Sequence, residues 1–469
     1  MTERLAPRVV VVGAGVAGLA AAHALALDAR ARVVVLEGSP RAGGKLLRGE
    51  IAGVPTDLGA ESVLARRPEA LALIDSLGLS GEITHPATSR AAIWSRGRLR
   101  PLPAGHVMGV PVDVRALAAS GVMSRPAVAR AALDRVLPAS RLGDDTSVAA
   151  YVRARMGRAV VDRLVEPLLG GVYAGRADLL SLRATLPAVA AVAGQGSLMR
   201  ALRARPASAA SGPVFAGLPG GIGRLAEALT AAALSRGVDV RLGCAARELS
   251  RTPSGWRLVV GSAAAPQTIE ADAVVLALPA APAGRLLAPC VPAAATELAT
   301  IEYASMAIVT LAFAVSAFDK PLDGSGFLVP AVEGRLIKAA TFSSLKWGWY
   351  SGSAPGLVVL RCSIGRHGDN SDLRRSDEEL IAGAWRDLAA IAGVRAAPVD
   401  ALVTRWGGAL PQYFVGHLDR VARVKAVIAG APGLAVCGAA YDGVGIPACV
   451  GSGQAAATQV LRALFGGGE

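Results

Sequence analysis

The order of apolar and polar positions at the start of the chain predicts a strand, a helix and a second strand. Arg8–Val12 is a short apolar run that ends at a glycine turn, which is typical of a buried parallel strand. The segment rich in Ala and Leu that follows, to about Ala29, predicts a helix. Arg32–Leu36 predicts a second strand, which ends at Glu37. Together these elements predict a complete βαβ unit.

The middle of the chain follows other patterns. Residues 112–205 place Ala, Arg, Leu and Val at helical spacing and predict a helical subdomain, followed by a linker of small residues at 206–213. Farther along, short apolar runs on both sides of a loop-like stretch, 262–267, predict a β-rich block. The runs of this block are 238–241, 256–260 and 273–278.

The second half of the chain predicts one antiparallel sheet followed by a helix. The sheet is predicted from four apolar runs, which are 308–315, 327–332, 336–342 and 357–362. Ser376 and Glu379 have the spacing of a capping box, which marks the start of the helix. An apolar stripe then follows one face of the helix. The stripe consists of Leu380, Ala384, Leu388 and Ile391.

Composition adds size and charge to this picture. The 469 residues are 52% hydrophobic, so the chain can bury a large core without a disulfide or a structural metal. A net charge of +13 raises nucleic acid or an anionic membrane as partners. The basic residues are mainly arginines scattered along the chain, which argues against nucleic acid. An acidic substrate and a peripheral membrane contact stay open, and the oligomeric state is not set.

The cysteines and the apolar stretches indicate the compartment. The cysteines show no Cys-x-x-Cys spacing, so we expect neither a metal site nor disulfides, which fits a reducing cytoplasm. A strand within the first ten residues leads us to expect no signal peptide. Residues 303–318 and 443–461 are too short or too interrupted by proline and polar residues to span a membrane.

A glycine triplet between the first strand and helix carries the clearest chemistry. Gly13 permits a tight turn, Gly15 lets a diphosphate approach the backbone, and Gly18 allows the helix to pack closely on the strand. The first helical turn would present free N–H groups and a positive dipole end to that diphosphate. Glu37, about 20 residues beyond the triplet, can accept hydrogen bonds from ribose hydroxyls and would repel a 2′-phosphate. The sequence therefore predicts a Rossmann-type dinucleotide site.

Two further segments resemble the flavin amine oxidase and protoporphyrinogen oxidase superfamily. Residues 37–45 contain a second glycine pair and two cations, and in that superfamily Arg41 and the backbone of Gly43 and Gly44 flank the pyrophosphate. Residues 438–447 resemble the superfamily's C-terminal flavin motif, after which a helix would point its N-terminus at the flavin. The resemblance implies FAD rather than NAD as the cofactor.

Other stretches resemble one branch, the protoporphyrinogen and coproporphyrinogen oxidases. They are 166–175 with 180–181 and 186–187, Trp406 with 410–413 and 416–417, and 57–62 with 66–68. The resemblance covers essentially the whole chain. It implies an α/β fold with a Rossmann-type FAD-binding domain, an antiparallel-sheet substrate domain and an inserted helical subdomain. The implied ranges are 1–95, 214–285 and 400–469 for FAD binding, 96–213 for the helical subdomain and 286–399 for the substrate domain.

The resemblance also implies individual site residues. Arg67 aligns with a basic residue that pairs with a substrate propionate, Leu168 would pack on the macrocycle, and Gly171 would bring its carbonyl near it. No catalytic side chain or metal ligand is expected, because the flavin carries the chemistry. Ala246 stands where the family usually has valine beside the adenine. The implied cofactor contacts are Gly13, Ala14, Gly15, Val16, Ala17, Gly18, Glu37, Gly38, Arg41, Gly44, Lys45, Gly59, Ala60, Glu61, Ser62, Ala246, Trp406, Val444, Gly445 and Ile446.

The activity implied by the resemblance is the oxidation of coproporphyrinogen III to coproporphyrin III, with O2 as acceptor and H2O2 as product, in haem biosynthesis. The Glu61-Ser62 loop and the Arg66-Arg67 pair look more like the Gram-positive, coproporphyrinogen-oxidising members than the mitochondrial protoporphyrinogen type, which favours this substrate. The alternatives are a protoporphyrinogen IX oxidase, a flavin amine oxidase or desaturase on the same fold, and a non-catalytic flavoprotein scaffold. Lys338 is the candidate lysine for an amine oxidase. The aromatic residues at 347–350 line either the substrate pocket or the core.

Overall fold

The computed structural model describes residues 6–140, 143–206, 212–353 and 355–466. The strands in these ranges are β1 (Arg8–Val12), β2 (Arg32–Leu36), β3 (Arg48–Ile51), β4 (Val54–Asp57), β5 (Val63–Leu64), β6 (Ala91–Ser95), β7 (Arg98–Pro101), β8 (Phe215–Ala216), β9 (Asp239–Arg241), β10 (Ala246–Thr252), β11 (Gly255–Ser262), β12 (Ala265–Ala271), β13 (Ala273–Leu276), β14 (Tyr303–Ala314), β15 (Gly326–Leu328), β16 (Ile337–Phe342), β17 (Leu357–Ile364), β18 (Asp400–Pro411) and β19 (Leu434–Val436).

The α-helices of the described residues are α1 (Val16–Asp28), α2 (Pro68–Ser76), α3 (Val114–Ser120), α4 (Arg125–Ala132), α5 (Val148–Met156), α6 (Arg158–Val160), α7 (Glu166–Tyr173), α8 (Leu182–Thr185), α9 (Pro187–Ala190), α10 (Leu198–Ala204), α11 (Arg224–Ser235), α12 (Ala280–Leu287), α13 (Pro292–Ala299), α14 (Ser343–Lys346), α15 (Trp349–Ser353), α16 (Asp377–Ala392), α17 (His417–Ala429) and α18 (Ile446–Phe465). No helix in the described part of the chain is both long enough and apolar enough to cross a membrane.

A five-stranded parallel sheet has the strand order β19-β13-β1-β2-β9. Its centre is the predicted βαβ unit, whose two strands lie at the predicted residues. The strands are apolar along both faces because both faces are covered. Helices α1, α11 and α18 pack on one face, and α12, α13, α17 and a small sheet pack on the other.

The small sheet is antiparallel, with the order β10-β11-β12, and it corrects the predicted β-rich block. Residues 262–267 are not a loop, because Ser262 pairs with Ala265 across a tight turn and β12 begins there. The turn contains no Gly, Asn or Asp, and the first four residues of β12 are exposed and include Pro266, so neither usual signal was present. β9 and β13, also assigned to this block, belong to the parallel sheet.

A seven-stranded sheet has the order β18-β14-β17-β16-β15-β6-β7. The four predicted runs are β14 to β17, and they pair antiparallel as expected. The sheet also includes β18, together with β6 and β7, and β6 runs parallel to β15. Because these strands pair with the strands of residues 286–399, we propose that residues 91–101 and 400–411 belong to the same domain as residues 286–399.

Helix α16 covers one face of the seven-stranded sheet and confirms the predicted capping box. The Ser376 hydroxyl accepts the Glu379 N–H, and the Glu379 carboxylate accepts the Ser376 N–H. The predicted apolar stripe is buried against the sheet.

The helical prediction for residues 112–205 is confirmed by helices α3 to α10, with a π-helical segment at Val161–Val165 leading into α7. Their apolar faces form one core that also includes Tyr413 beyond β18. Most of the predicted linker at 206–213 lies outside the described residues.

Candidate functional site

The turn between β1 and α1 is shaped by its glycines. Gly13 has a φ of 104°, and a Cβ there would lie 2.5 Å from the Ala277 carbonyl oxygen. A Cβ on Gly18 would lie 1.9 Å from the Gly13 carbonyl oxygen. A Cβ on Gly15, in contrast, would meet nothing within 4 Å. Gly13 and Gly18 are therefore required by packing, whereas Gly15 borders open space.

The open space lies at the N-terminus of α1. Gly15 is the N-cap and supplies no side-chain hydrogen bond, and the first helical bond is donated by Leu19 to the Gly15 carbonyl. The N–H groups of Val16, Ala17 and Gly18 are thus the donors that a helix start leaves without intrahelical partners. Together with the helix dipole, they form an anion-binding end next to the space over Gly15.

The predicted adenosine end lies at the end of β2. The Glu37 carboxylate accepts hydrogen bonds from the N–H groups of Ala14, at 2.8 Å, and Ser39, at 2.9 Å. The loop before β10 lies against this strand end, because the Cys244 N–H donates to the Glu37 carbonyl. The structure therefore brings the segment that leads into Ala246 next to Glu37 and Gly38.

The second glycine pair lies directly on the first glycine turn. The Gly43 N–H donates to the Ala14 carbonyl at 2.8 Å, and a Cβ on Gly44 would lie 3.1 Å from Gly15 Cα. The guanidinium of Arg41 donates to the Gly44 carbonyl at 2.6 Å. Arg41 thus braces its own loop beside Gly15.

The loop after β4 continues this surface away from Glu37. The Ala60 N–H donates to the Lys45 carbonyl, and a Cβ on Gly59 would lie 2.0 Å from that same oxygen. The indole of Trp406 donates to the Leu58 carbonyl at 3.1 Å. Burial lowers the pKa of the Lys45 ammonium. The predicted contacts Lys45, Gly59, Ala60 and Trp406 therefore form one patch, with half-buried Ser62 at its end.

Glu61 of the same loop is bound by side chains of the seven-stranded sheet and of α14. Its carboxylate accepts from the Trp347 indole at 2.9 Å and the Ser343 hydroxyl at 3.0 Å. It also pairs with Arg361 at 3.2 Å and Lys346 at 3.5 Å. Burial acts to raise its pKa, but the two cations and the two hydrogen bonds hold it below the usual value. The Glu61 side chain, which was predicted to contact the cofactor, is thus already bound by four side chains of the protein.

Trp347 and Tyr350 belong to the core, which decides between the two alternatives for this aromatic segment. Both are 2% exposed and pack with Ile51 and Val54 of the β3–β4 hairpin. The Tyr350 hydroxyl is hydrogen-bonded to Thr56 at 2.6 Å, and Trp349 stacks on Tyr350. The segment therefore packs the hairpin against the sheet.

The C-terminal motif meets the N-terminal motif at the start of α18. Gly445 is the N-cap of this helix, with Val444 before it and Ile446 in the first turn. A Cβ on Gly453 would lie 2.1 Å from the Ala17 carbonyl oxygen, so α1 and α18 pack backbone to backbone. The motifs from the two ends of the chain thus lie on two helices that are packed against each other.

Helix α7 carries the predicted macrocycle contacts. Leu168 is half-buried, and Gly171 and Val172 are exposed, although the helix belongs to an apolar core. A Cβ on Gly171 would lie 3.7 Å from Leu328 of β15. At the end of α7, Tyr173 packs on Tyr413 with ring centres 5.6 Å apart. The hydroxyl of Tyr413 donates to the Ala439 carbonyl, which joins α7 to the C-terminal motif.

Arg67 lies at the N-cap of α2, where sequence reasoning missed its partner. Its guanidinium donates two hydrogen bonds to the Glu69 carboxylate, and its side chain is 44% exposed. Burial raises the pKa of Cys449 to about 11, and Lys45 and Arg67 act against this rise. Both cations are therefore within electrostatic reach of the first turn of α18. The acidic residue two positions after Arg67, in a helix first turn, was the available signal for Glu69.

Lys338, the candidate lysine for an amine oxidase, lies on β16 and is 4% exposed. Its ammonium donates to the Gly365 carbonyl at 2.8 Å. Burial, and then the charge of Arg366, lower its pKa to about 7. The lysine is thus bound within the seven-stranded sheet.

Comparisons with known proteins agree with this geometry. The family model for flavin containing amine oxidoreductases matches residues 16–461. The chain is 40% identical over 463 residues to a coproporphyrinogen III oxidase of Mycobacterium tuberculosis, with 97% of each chain covered. It is 32% identical to a coproporphyrinogen III oxidase of Bacillus subtilis, with 97% of this chain and 98% of that protein covered. A crystal structure from Exiguobacterium sp. 255-15 is similar at a TM-score of 0.85 and 33% identity, covering 97% of this chain and 98% of that one.

Proposed function

Because the chain belongs to the family of flavin-containing amine oxidoreductases, we propose that it is an FAD-dependent oxidase that converts coproporphyrinogen III to coproporphyrin III. The observation that carries the cofactor is the open space over Gly15 at the N-terminus of α1, a helix that packs directly on α18. The similarity over nearly the whole chain to coproporphyrinogen III oxidases supports the substrate. The proposal places the protein in haem biosynthesis.

The residues around that space fit a flavin dinucleotide. The N–H groups at the start of α1 would hold the diphosphate, and Gly15 would let it approach the backbone. Glu37 would accept from the ribose, since each carboxylate oxygen that now takes one backbone N–H can accept a second bond. The adenine would lie beside Ala246, and the patch of Lys45 and Trp406 would contact the flavin end.

The chemistry balances with O2 as the acceptor. When bound, FAD supplies a two-electron acceptor for hydride and returns the electrons to O2. Conversion of a porphyrinogen to a porphyrin removes formally six electrons and six protons, which three O2 accept as three H2O2. The residues of the protein would bind the macrocycle, orient it and hold the two dinucleotide-binding motifs in place.

The macrocycle would lie on the exposed surface of α7. Leu168 and Val172 offer apolar contact there, and Gly171 leaves room for a flat ring because it has no side chain. Arg67 would pair with a propionate on the other side of the site. Glu69 occupies Nε and one amino group of the Arg67 guanidinium, and its negative charge would weaken the binding of a second carboxylate there.

Replacing Arg67 with alanine should reduce kcat/KM for coproporphyrinogen III roughly 10- to 100-fold. A charge-assisted hydrogen bond of about 1.5–3 kcal/mol is lost, and about 1.4 kcal/mol corresponds to a factor of ten. The loss should lie mainly in KM, because a remote propionate is held alike in the ground and transition states. Flavin content should not change. Steady-state kinetics on the purified variant measure each quantity.

Two variants serve as controls for Arg67. Arg66→Ala removes an exposed neighbouring arginine and should have a much smaller effect. Glu69→Gln should lower KM, because it removes the carboxylate that competes for Arg67. Equal effects of the two arginine variants would show that Arg67 does not bind the substrate.

A substrate panel tests the proposed function. The FAD-loaded protein is mixed aerobically with coproporphyrinogen III, protoporphyrinogen IX or a set of primary amines and polyamines. We expect porphyrin fluorescence and H2O2 with coproporphyrinogen III, a lower kcat/KM with protoporphyrinogen IX, and no H2O2 with amines. The reverse order of the two porphyrinogens would assign the other macrocycle. Formation of H2O2 with an amine, but with neither porphyrinogen, would overturn the proposal.

A further inference from the structure

A buried ionic cluster joins the seven-stranded sheet to the loop after β4. We call it the Glu61 cluster, and it consists of Glu61, Lys346 and Arg361. Their side chains are 11%, 14% and 7% exposed, so all three charges are largely removed from water. Charges at such sites interact strongly because the surroundings screen them poorly.

Arg361 contacts the loop at two points. One amino group of its guanidinium donates to the Gly59 carbonyl at 2.5 Å, and the other pairs with the Glu61 carboxylate at 3.2 Å. Its Nε–H is buried and has no hydrogen-bond partner in the described part of the chain. Since Arg361 lies on β17, a substrate-domain strand fixes both the backbone and the side chain of this loop.

The other side of the same loop faces the dinucleotide site. The Ala60 N–H is bound to the Lys45 carbonyl, and Trp406 is bound to the Leu58 carbonyl. Along the site, Glu37 marks the ribose end and Gly15 the diphosphate, and Gly44, Lys45 and Gly59 follow in contact with one another. The loop therefore lies at the end of the site opposite to Glu37, where the proposed function places the flavin.

We propose that the charges of Arg361, on the seven-stranded sheet, and Glu61, on the loop after β4, set the reduction potential of the bound flavin. The inference rests on the proposed function, because it requires that FAD be the bound dinucleotide. Reduction adds negative charge to the flavin, so a buried cation near its end favours reduction and a buried carboxylate opposes it. Arg361 lowers the energy of the reduced state, and Glu61 limits that effect while holding Arg361 in place.

The sign of the shift separates this role from a purely structural one. Arg361→Gln should lower the equilibrium constant for flavin reduction at least tenfold, which is about 30 mV for a two-electron couple. Glu61→Gln should shift it in the opposite direction. The double variant should return close to the wild-type value, because the two charges cancel. A defect in loop packing alone would shift both single variants in the same direction.

The measurement is a reductive titration of the FAD-loaded proteins against a redox dye, followed by flavin absorbance, with no porphyrinogen present. Arg335→Gln is the control, because it also breaks an arginine–carboxylate pair, with Asp387 of α16, but this pair lies outside the Glu61 cluster. It should leave the potential unchanged. If Arg361→Gln does not retain FAD, the double variant should still retain it, since the Glu61 charge, which Lys346 alone would then offset, is gone.

Shifts of the same sign in both single variants, no shift in either, or loss of FAD from the double variant would overturn the inference. None of these outcomes affects the proposed function, which depends on porphyrinogen turnover. A wild-type protein that binds no FAD would contradict the proposed function itself.

Discussion

Replacing Gly15 with leucine should give a folded protein that carries no FAD. A Cβ at this position meets no atom within 4 Å, so the added side chain costs the fold little. It would occupy the space over the N-terminus of α1 into which we place the diphosphate. A diphosphate held by backbone N–H groups must approach within hydrogen-bond distance, and a leucine side chain prevents that approach. The flavin-to-protein ratio by absorbance and the far-UV circular dichroism of the purified variant measure both parts.

Two other glycines are matched controls for Gly15. Gly81 also has open space around its Cβ position but lies far along the chain from both motifs, so Gly81→Leu should keep its flavin. Gly18→Ala should fail to fold, because its Cβ would lie 1.9 Å from the Gly13 carbonyl oxygen. Full flavin content in Gly15→Leu would show that the diphosphate does not bind at this turn.

Replacing Arg155 with alanine should destabilise the helical subdomain by about 3–5 kcal/mol, the cost of leaving one partner of a buried ion pair alone. Arg155 and Asp134 are 1% and 0% exposed and pair at 2.7 Å. Arg155 also donates to the carbonyls of Asp134 and Gly196. Asp134 in turn accepts from Leu198 and Met199 N–H groups at the start of α10. The pair thus ties α5 to α10.

Urea unfolding followed by circular dichroism measures the effect of Arg155→Ala. Arg153→Ala, two residues earlier and exposed, should change the midpoint little, as surface substitutions usually cost within about 0.5 kcal/mol. The apolar double variant Arg155→Met with Asp134→Leu should be more stable than Arg155→Ala, because no buried charge is left unpaired. An unchanged midpoint in Arg155→Ala would mean that the pair does not stabilise the subdomain.

Local signals account for the parts of the fold that the sequence predicts. The βαβ unit follows from two buried apolar runs around a glycine turn, and α16 follows from a capping box and an apolar stripe. Each of these patterns is complete within about 30 residues. The same holds for the glycine turn itself, whose steric requirements the structure places at Gly13 and Gly18.

Pairings between distant segments leave no such pattern. β6 joins the seven-stranded sheet by pairing Ala91 with Gly326, and β18 joins it by pairing Val403 with Val309, and nothing in the sequences of these strands indicates their partners. The first four residues of β12 are exposed and include Pro266, so the apolar alternation that marks a half-buried strand is missing there. The partners of Glu61 lie 282 and 286 positions away in the chain for its two hydrogen bonds. The sequence alone therefore does not show that Glu61 is a buried, paired carboxylate, because its partners come close to it only in the folded chain.

The most direct test of FAD-dependent porphyrinogen oxidation is an anaerobic titration of the FAD-loaded protein with coproporphyrinogen III, followed by flavin absorbance. The account predicts that the flavin is bleached at about one porphyrinogen per three flavins, that coproporphyrin III appears, and that O2 then restores the flavin with formation of H2O2. Flavin that stays oxidised in the presence of coproporphyrinogen III, while a polyamine bleaches it, would contradict the account.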